Sequence, residues 1–346
     1  MTPRPIALMF PGQGSQHVRM GAGLYGADAA FTATMDEVFS LLGGEGARVR
    51  DDWLGRTDLP RESFDDVARA QPLLYAVGCA LGRAVLDLGL EPAALIGHSV
   101  GEMVAATLAG VLDLSDGVAL MRDRVEALRD SPPGAMLAVA ASAEELAPRL
   151  RGDVVVGAVN APRQTLLAGP AEEVERVREE LRADGITCRP ARSQQAFHSP
   201  VLEPFVRGSA AAWGRVGLRA PRLPVYSARL GAPLTADHAR DPRFWAGQPC
   251  EPVLFWPALD RLLADRDVVL LEAGPGQGLS TIARRHPAVA GGRSAVVPLL
   301  PARPRHTSED LDAFTAAVLR LRAEGHAPRA RGVVPAAAVH LPAHSD

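Results

Sequence analysis

The stretch AALIGHSVGEMVAATLAG at residues 93–110 constrains the fold more than any other part of the chain. A short apolar run, a G-x-S-x-G turn and a small-residue helical pattern follow one another without a break. That succession predicts a buried strand, a sharp turn and a helix. The turn needs Gly97 and Gly101, because larger residues on either side of the serine would clash with neighbouring backbone. It exposes the hydroxyl of Ser99 at a helix N-terminus, where the amide of Val100 can donate to a developing oxyanion.

Other apolar runs end in the same way. Residues 5–10 (PIALMF) stop at Pro11-Gly12, and DVVLLEAGPG at 267–276 stops in a Gly-Pro-Gly turn, so both read as buried strands ending in tight loops. Helical spacing of apolar residues covers 68–88, and a second helix is expected near 116–130. After Pro132-Pro133-Gly134 the pattern changes. MLAVAAS, DVVVGAVNA, QTLLAG and ITCRPARS read as strands, with helices at ASAEELAPRL and AEEVERVREELRADG, which suggests a small α+β insert of ferredoxin-like type. The expected class is α/β, with a large subdomain over 1–132 and 196–300 and a small one over 133–195. A C-terminal helix and a linker-like tail occupy 301–346.

Composition removes several chemistries. All 37 basic residues are arginine, so no lysine can form a Schiff base or serve a P-loop or kinase site. The absence itself reads as compositional drift, since Arg, Ala, Gly and Pro are all frequent. A net charge of −3 argues against nucleic acid or a membrane surface as partner. Cys79, Cys188 and Cys250 are scattered and lack metal-ligand spacing, so no metal site is expected and a reduced cytoplasmic setting is. The first apolar run is too short for a signal peptide, and no stretch approaches about 18 apolar residues.

A serine nucleophile needs a base. Among nine histidines, His306, His326, His340 and His344 fall in the polar tail, and His286 borders a proline in an arginine-rich stretch. His98 adjoins Ser99, and neighbours across such a turn point apart. His198, in QAFHSP, ends the insert at a loop position from which a side chain can reach a cleft, and it ranks first.

Four ordered motifs then carry a resemblance: FPGQGSQ at 10–16, GHSVGE at 97–102, AFHSP at 196–200 and EAGPG at 272–276. Together they resemble the malonyl-CoA:acyl-carrier-protein transacylases and the acyltransferase domains of polyketide synthases, and the C-terminal part is more similar to the polyketide synthase branch. The resemblance implies an α/β-hydrolase-like core with an inserted ferredoxin-like subdomain, the site lying between them. It implies that Ser99 attacks an acyl-CoA thioester, that His198 takes the proton, and that the phosphopantetheine thiol of a carrier protein collects the acyl group, with no bound cofactor. Gln248 matches the position whose backbone carbonyl orients the base, and the backbone N–H of Gln13 matches the second oxyanion donor beside Val100. A monomer is the habit of such proteins, and an acidic carrier protein would dock on arginines alone.

The same resemblance bears on the acyl group. Arg124 falls at the position of the arginine that grips the free carboxylate of malonyl-type substrates, a role that suits its planar fork. Arg122, two residues earlier, faces elsewhere on a helix. Val125 and Leu128 depart from the usual glycine and methionine of this motif. Ala196-Phe197 resembles the malonyl-selective motif, the phenyl ring filling space that an α-methyl would need, although Gln195 replaces its usual first histidine. Gln71 and Asn160 match residues near the site and position neighbours. A malonyl or related dicarboxylic group is therefore expected, in polyketide or fatty acid biosynthesis. Transfer of an unusual acyl group between carrier proteins, or hydrolysis of stalled chains, remain the alternatives.

Overall fold

The computed structural model describes residues 2–58, 61–304 and 306–329. Ten strands lie in chain order: β1 (Ile6–Phe10), β2 (Pro92–Gly97), β3 (Gly134–Val139), β4 (Val155–Ala161), β5 (Gln164–Pro170), β6 (Cys188–Pro190), β7 (Val225–Ser227), β8 (Ala232–Pro233), β9 (Val269–Glu272) and β10 (Ala295–Pro298). They form a six-stranded sheet of order β10-β9-β1-β2-β7-β8 and a four-stranded sheet of order β4-β5-β3-β6. The larger sheet is parallel except for the β7–β8 pair, and every pair in the smaller one is antiparallel. The architecture is mixed α/β.

The apolar runs explain the parallel strands. Along β1, Ile6, Leu8 and Phe10 enter one core cluster while Ala7 and Met9 enter another on the opposite face. β2 and β9 divide their side chains in the same manner, Leu95 and Leu271 on one side, Ile96 and Leu270 on the other. A strand covered on both faces has no polar alternation to show, so it reads as a continuous hydrophobic run. The smaller sheet buries a separate cluster against the helix Ala171–Ala183, through Leu137, Val139, Leu167, Val174, Val177 and Leu181. The two sheets meet where β4 runs beside Val253, with Val159 N–H donating to Val253 O at 2.8 Å and Val253 N–H to Gly157 O at 2.9 Å. A fourth apolar cluster fills this seam, including Val67, Leu128, Met136, Phe197 and Cys250.

Two boundaries differ from expectation. β6 covers only Cys188–Pro190, because Arg189 and Pro190 are exposed and Pro190 has no N–H to extend a ladder. His326 is not in a free tail: its Nε2 lies 2.9 Å from Arg4 O. His340, His344 and the tail from residue 330 onward lie outside the described residues.

Candidate active site

Ser99 stands between β2 and the helix Val100–Leu108, at φ 53° and ψ −120°. This left-handed backbone is rare for a non-glycine residue and marks a site held by its surroundings. The flanking glycines are obligatory. A Cβ on Gly97 would lie 2.3 Å from Glu102 N, and one on Gly101 would lie 2.1 Å from Phe10 O. His98 N–H donates to Phe10 O at 2.9 Å, fastening the elbow to the end of β1. Behind it, the buried Glu102 carboxylate accepts from Ser227 Oγ, and burial raises its pKa.

Ser99 and His198 meet as a pair. Ser99 Oγ lies 2.7 Å from His198 Nε2, and both residues are buried. His198 sits at φ 64°, held by its own N–H donating to Pro249 O at 2.6 Å. Its Nδ1 lies 2.9 Å from Glu251 O. A carbonyl only accepts, so Nδ1 carries the hydrogen and Nε2 is left to accept from the serine hydroxyl. Burial, with the charges of His98 and Arg124 as lesser causes, pushes the His198 pKa down to about 3. The imidazole is thus neutral near pH 7, the form a base requires.

Two backbone groups act on the ring: Glu251 O lies at hydrogen-bond distance from Nδ1, and a backbone hydrogen bond with Gln248, the residue expected from sequence, also raises the His198 pKa. Gln248 acts on Ser99 as well, its Nε2 donating to the Ser99 carbonyl at 2.7 Å. Nothing in the sequence marked Glu251, since the contact uses backbone. His98 turns away from Ser99, as neighbours across an elbow must, and its Nε2 lies 2.9 Å from Asn160 Oδ1. Asn160 belongs to β4.

Gln13 follows β1 in the Gly-flanked loop. Its side-chain Nε2 donates to Asp65 O at 3.2 Å and its Oε1 accepts from Gln71 Nε2 at 3.3 Å. Among the described residues, the backbone N–H groups of Gln13 and Val100 make no hydrogen bond. A small pocket of about 50 Å³ adjoins the pair, lined in part by Gln71, Met136, Leu166 and Phe197. A larger cleft of about 570 Å³ opens beyond it and shares Gln13, His98 and Arg192 with it.

Arg124 and Arg122 separate cleanly. On the helix Leu114–Leu128, Arg122 is exposed, while Arg124 is buried at 6% exposure. Burial lowers the Arg124 pKa to about 10, so the guanidinium stays charged at pH 7. Among the described residues it makes no hydrogen bond and no ion pair. Val125 and Leu128 pack into the seam with Phe197 rather than opening it.

A serine–histidine pair on a strand–turn–helix elbow, at the carboxyl edge of a parallel sheet, defines a protein of the serine-nucleophile α/β class. Residues 8–328 match the family described as acyl transferase domain, and the chain belongs to that family. It is 35% identical to a phenolphthiocerol/phthiocerol polyketide synthase polypeptide of Mycobacterium tuberculosis over 92% of its own length and 21% of that protein's. The chain thus spans about a fifth of the length of that curated relative. Among solved structures, the acyl transferase domain of SpnD in complex with 2-(pent-4-yn-1-yl)malonyl superposes with a TM-score of 0.86 at 30% identity, covering 94% of this chain and 77% of that one. The malonyl CoA-acyl carrier protein transacylase (fabD) from Coxiella burnetii shares the fold at a TM-score of 0.78 and 24% identity, covering 92% of this chain and 98% of that one.

Proposed function

We propose that this chain moves a malonyl or closely related dicarboxylic group from CoA to the phosphopantetheine thiol of an acyl carrier protein, in polyketide or fatty acid biosynthesis. Ser99 Oγ attacks the thioester carbonyl carbon while His198 Nε2 takes the hydroxyl proton. The C–S bond breaks, the proton passes to the departing CoA thiolate, and an acyl-serine remains. The carrier thiol then gives its proton to His198, attacks the acyl-serine carbonyl and releases Ser99 by the reverse sequence. Charge that develops on the carbonyl oxygen in both halves falls to the free N–H groups of Val100 and Gln13. The backbone of Gln248 and Glu251 orients the base, and the side chains of Gln248, Gln71 and Asn160 position the elbow, the Gln13 loop and His98.

The observation that carries this reading is Arg124. Among the described residues the buried guanidinium has no ion pair, Glu102 and Asp123 acting on it only through space, and a substrate carboxylate would supply a bidentate partner. It stands close enough to His198 for its charge to lower the imidazole pKa. Phe197, in the pocket lining, fills space beside the acyl α-carbon, which favours malonyl over a substituted malonyl by about 1–3 kcal/mol.

Other features fit the same reading. The β-α-β-β-α-β succession from Gly134 to Pro190, with the order β4-β5-β3-β6, supports a ferredoxin-like small subdomain over 133–195. The elbow at the end of β2 supports an α/β-hydrolase-like large subdomain over 1–132 and 196–300, followed by a C-terminal region over 301–346. Both reacting side chains come from one chain, so a monomer is complete. Three free cysteines suit a cytoplasmic setting, and an acidic carrier protein would dock on arginines, the chain having no lysine.

Intact-mass analysis after incubation with a panel of acyl-CoAs tests the proposal. A malonyl adduct is expected that disappears in Ser99→Ala. Arg124→Ala should lower malonyl loading about 100-fold or more while sparing acetyl loading, the scale set by leaving a charged group unpaired. An adduct from acetyl-CoA and none from malonyl-CoA would overturn it.

A further inference from the structure

The cleft of about 570 Å³ outside the Ser99 pocket is formed by the loop after β1, the turn after β9, the segment after β6 and the segment after β10. Among the described residues its lining contains two arginines, Arg192 and Arg303, and no aspartate or glutamate, in a chain that carries 40 acidic residues. Neither arginine makes a hydrogen bond or an ion pair among the described residues. Other arginines are tied down, as Arg219 is to Asp113 and Arg163 to Glu145. Two exposed arginines left free in a carboxylate-free cleft form an anion site. The lining histidines do not share the task. Burial lowers the pKa of both, and Arg303 lowers that of His17 further, so the positive charge rests on the two arginines.

The cleft opens directly from the pocket that holds Ser99 and His198, with Arg192 at the junction. Resting on the acyl transfer reading above, the ligand carries its reacting thioester at the end of a long neutral pantetheine arm whose far end bears phosphate. We propose that Arg192 and Arg303 bind the phosphate of that arm and so hold the thioester in register with Ser99. The shared chemistry is a phosphate ester on pantetheine, whether the diphosphate of CoA or the phosphodiester of a carrier protein. Arg303 lies beyond the last strand of the large sheet, so the segment that follows β10 becomes part of the substrate site.

Single-turnover acylation of Ser99 by malonyl-CoA, malonyl-4′-phosphopantetheine and malonyl-pantetheine tests this, in the full chain and in Arg192→Gln, Arg303→Gln and the double variant. The unaltered chain should prefer both phosphate-bearing thioesters. That preference should fall about tenfold in the double variant and weaken with added salt, as loss of charged hydrogen bonds implies. Deacylation by 4′-phosphopantetheine against pantetheine separates the sources. A loss on loading alone assigns the site to the donor CoA, and a loss in both halves assigns it to donor and acceptor. An equal fall for all three thioesters, or none, would overturn the proposal. So would a loss confined to malonyl-CoA, which would place the contact at the nucleotide end. Equilibrium binding of CoA and of pantetheine to the Ser99→Ala chain keeps the two readings apart. If no thioester acylates Ser99 but CoA binding still needs the arginines, acyl transfer fails and the phosphate site stands.

Discussion

His198 combines a left-handed backbone with full burial, and the two together set its chemistry. The backbone directs Nε2 at the serine, and burial keeps the ring neutral. A base held at about pH 3 has a definite consequence for acylation. Protonated imidazole cannot accept from Ser99, so the rate falls as pH drops through the folded-state pKa. In single-turnover acylation by malonyl-CoA, the rate should stay level from pH 8 down to about 5. A half-maximal rate near 6.5, the ordinary histidine value, would show the ring to be solvated in the working state. Stability follows the same sign. The unfolded chain binds a proton at this histidine from about 6.5 downward and the folded chain only near 3, so folding loses stability as pH falls between them. Circular dichroism across the same range separates acid unfolding from titration of the base.

The elbow shows what an element can demand of single positions. Its strand and helix were legible because apolar spacing and glycine placement report directly on burial and close approach. A Cβ on Gly101 would press on the last carbonyl of β1, a backbone atom that cannot swing aside. Gly101→Ala should therefore cost about 3 kcal/mol in urea denaturation, whereas Gly208→Ala, which meets open space, should stay within about 0.5 kcal/mol. Equal midpoints for the two variants would refute the close packing of elbow and strand. Other elements left weaker traces. β7 and β10 have three and four residues, too short for a period to emerge. The helix Ala29–Leu41, capped by Asp28, buries Phe31, Met35, Val38 and Phe39 among small and polar neighbours, a weaker trace. At the site, side-chain chemistry pointed to Ser99 and His198. The Glu251 carbonyl carried no signal, because any residue could supply it, and the free state of Arg192 and Arg303 depends on which carboxylates the fold keeps away.

At the scale of the whole molecule the C-terminal helix Ser308–Ala323 closes the structure back onto its start. Arg4 pairs with Glu324 at 2.5 Å, and Phe314, Ala317 and Leu321 enter the main core. Asp310 ties the first turn of the helix to the N-terminal region, its Oδ2 accepting from Gly23 N–H at 3.0 Å. A Cβ on Gly23 would lie 1.9 Å from Thr307 O, so helix start and loop touch backbone to backbone. Among the described residues the other oxygen, Oδ1, is buried with no hydrogen-bond partner, and burial raises the carboxyl pKa to about 6. The folded chain therefore binds a proton here that the unfolded chain releases near 3.9, and folding loses stability as pH rises from there through 6. Asp310→Asn keeps an oxygen for Gly23 and removes the buried charge. It should stabilise the protein by about 1–2 kcal/mol at pH 7.5, the two-unit shift reduced for partial screening, and by about a third as much at pH 4.5. Urea denaturation at the two pH values measures the difference. Destabilisation at both would mean that the carboxylate, and not merely an acceptor oxygen, fastens this helix beside the segment that brings Arg303 to the cleft.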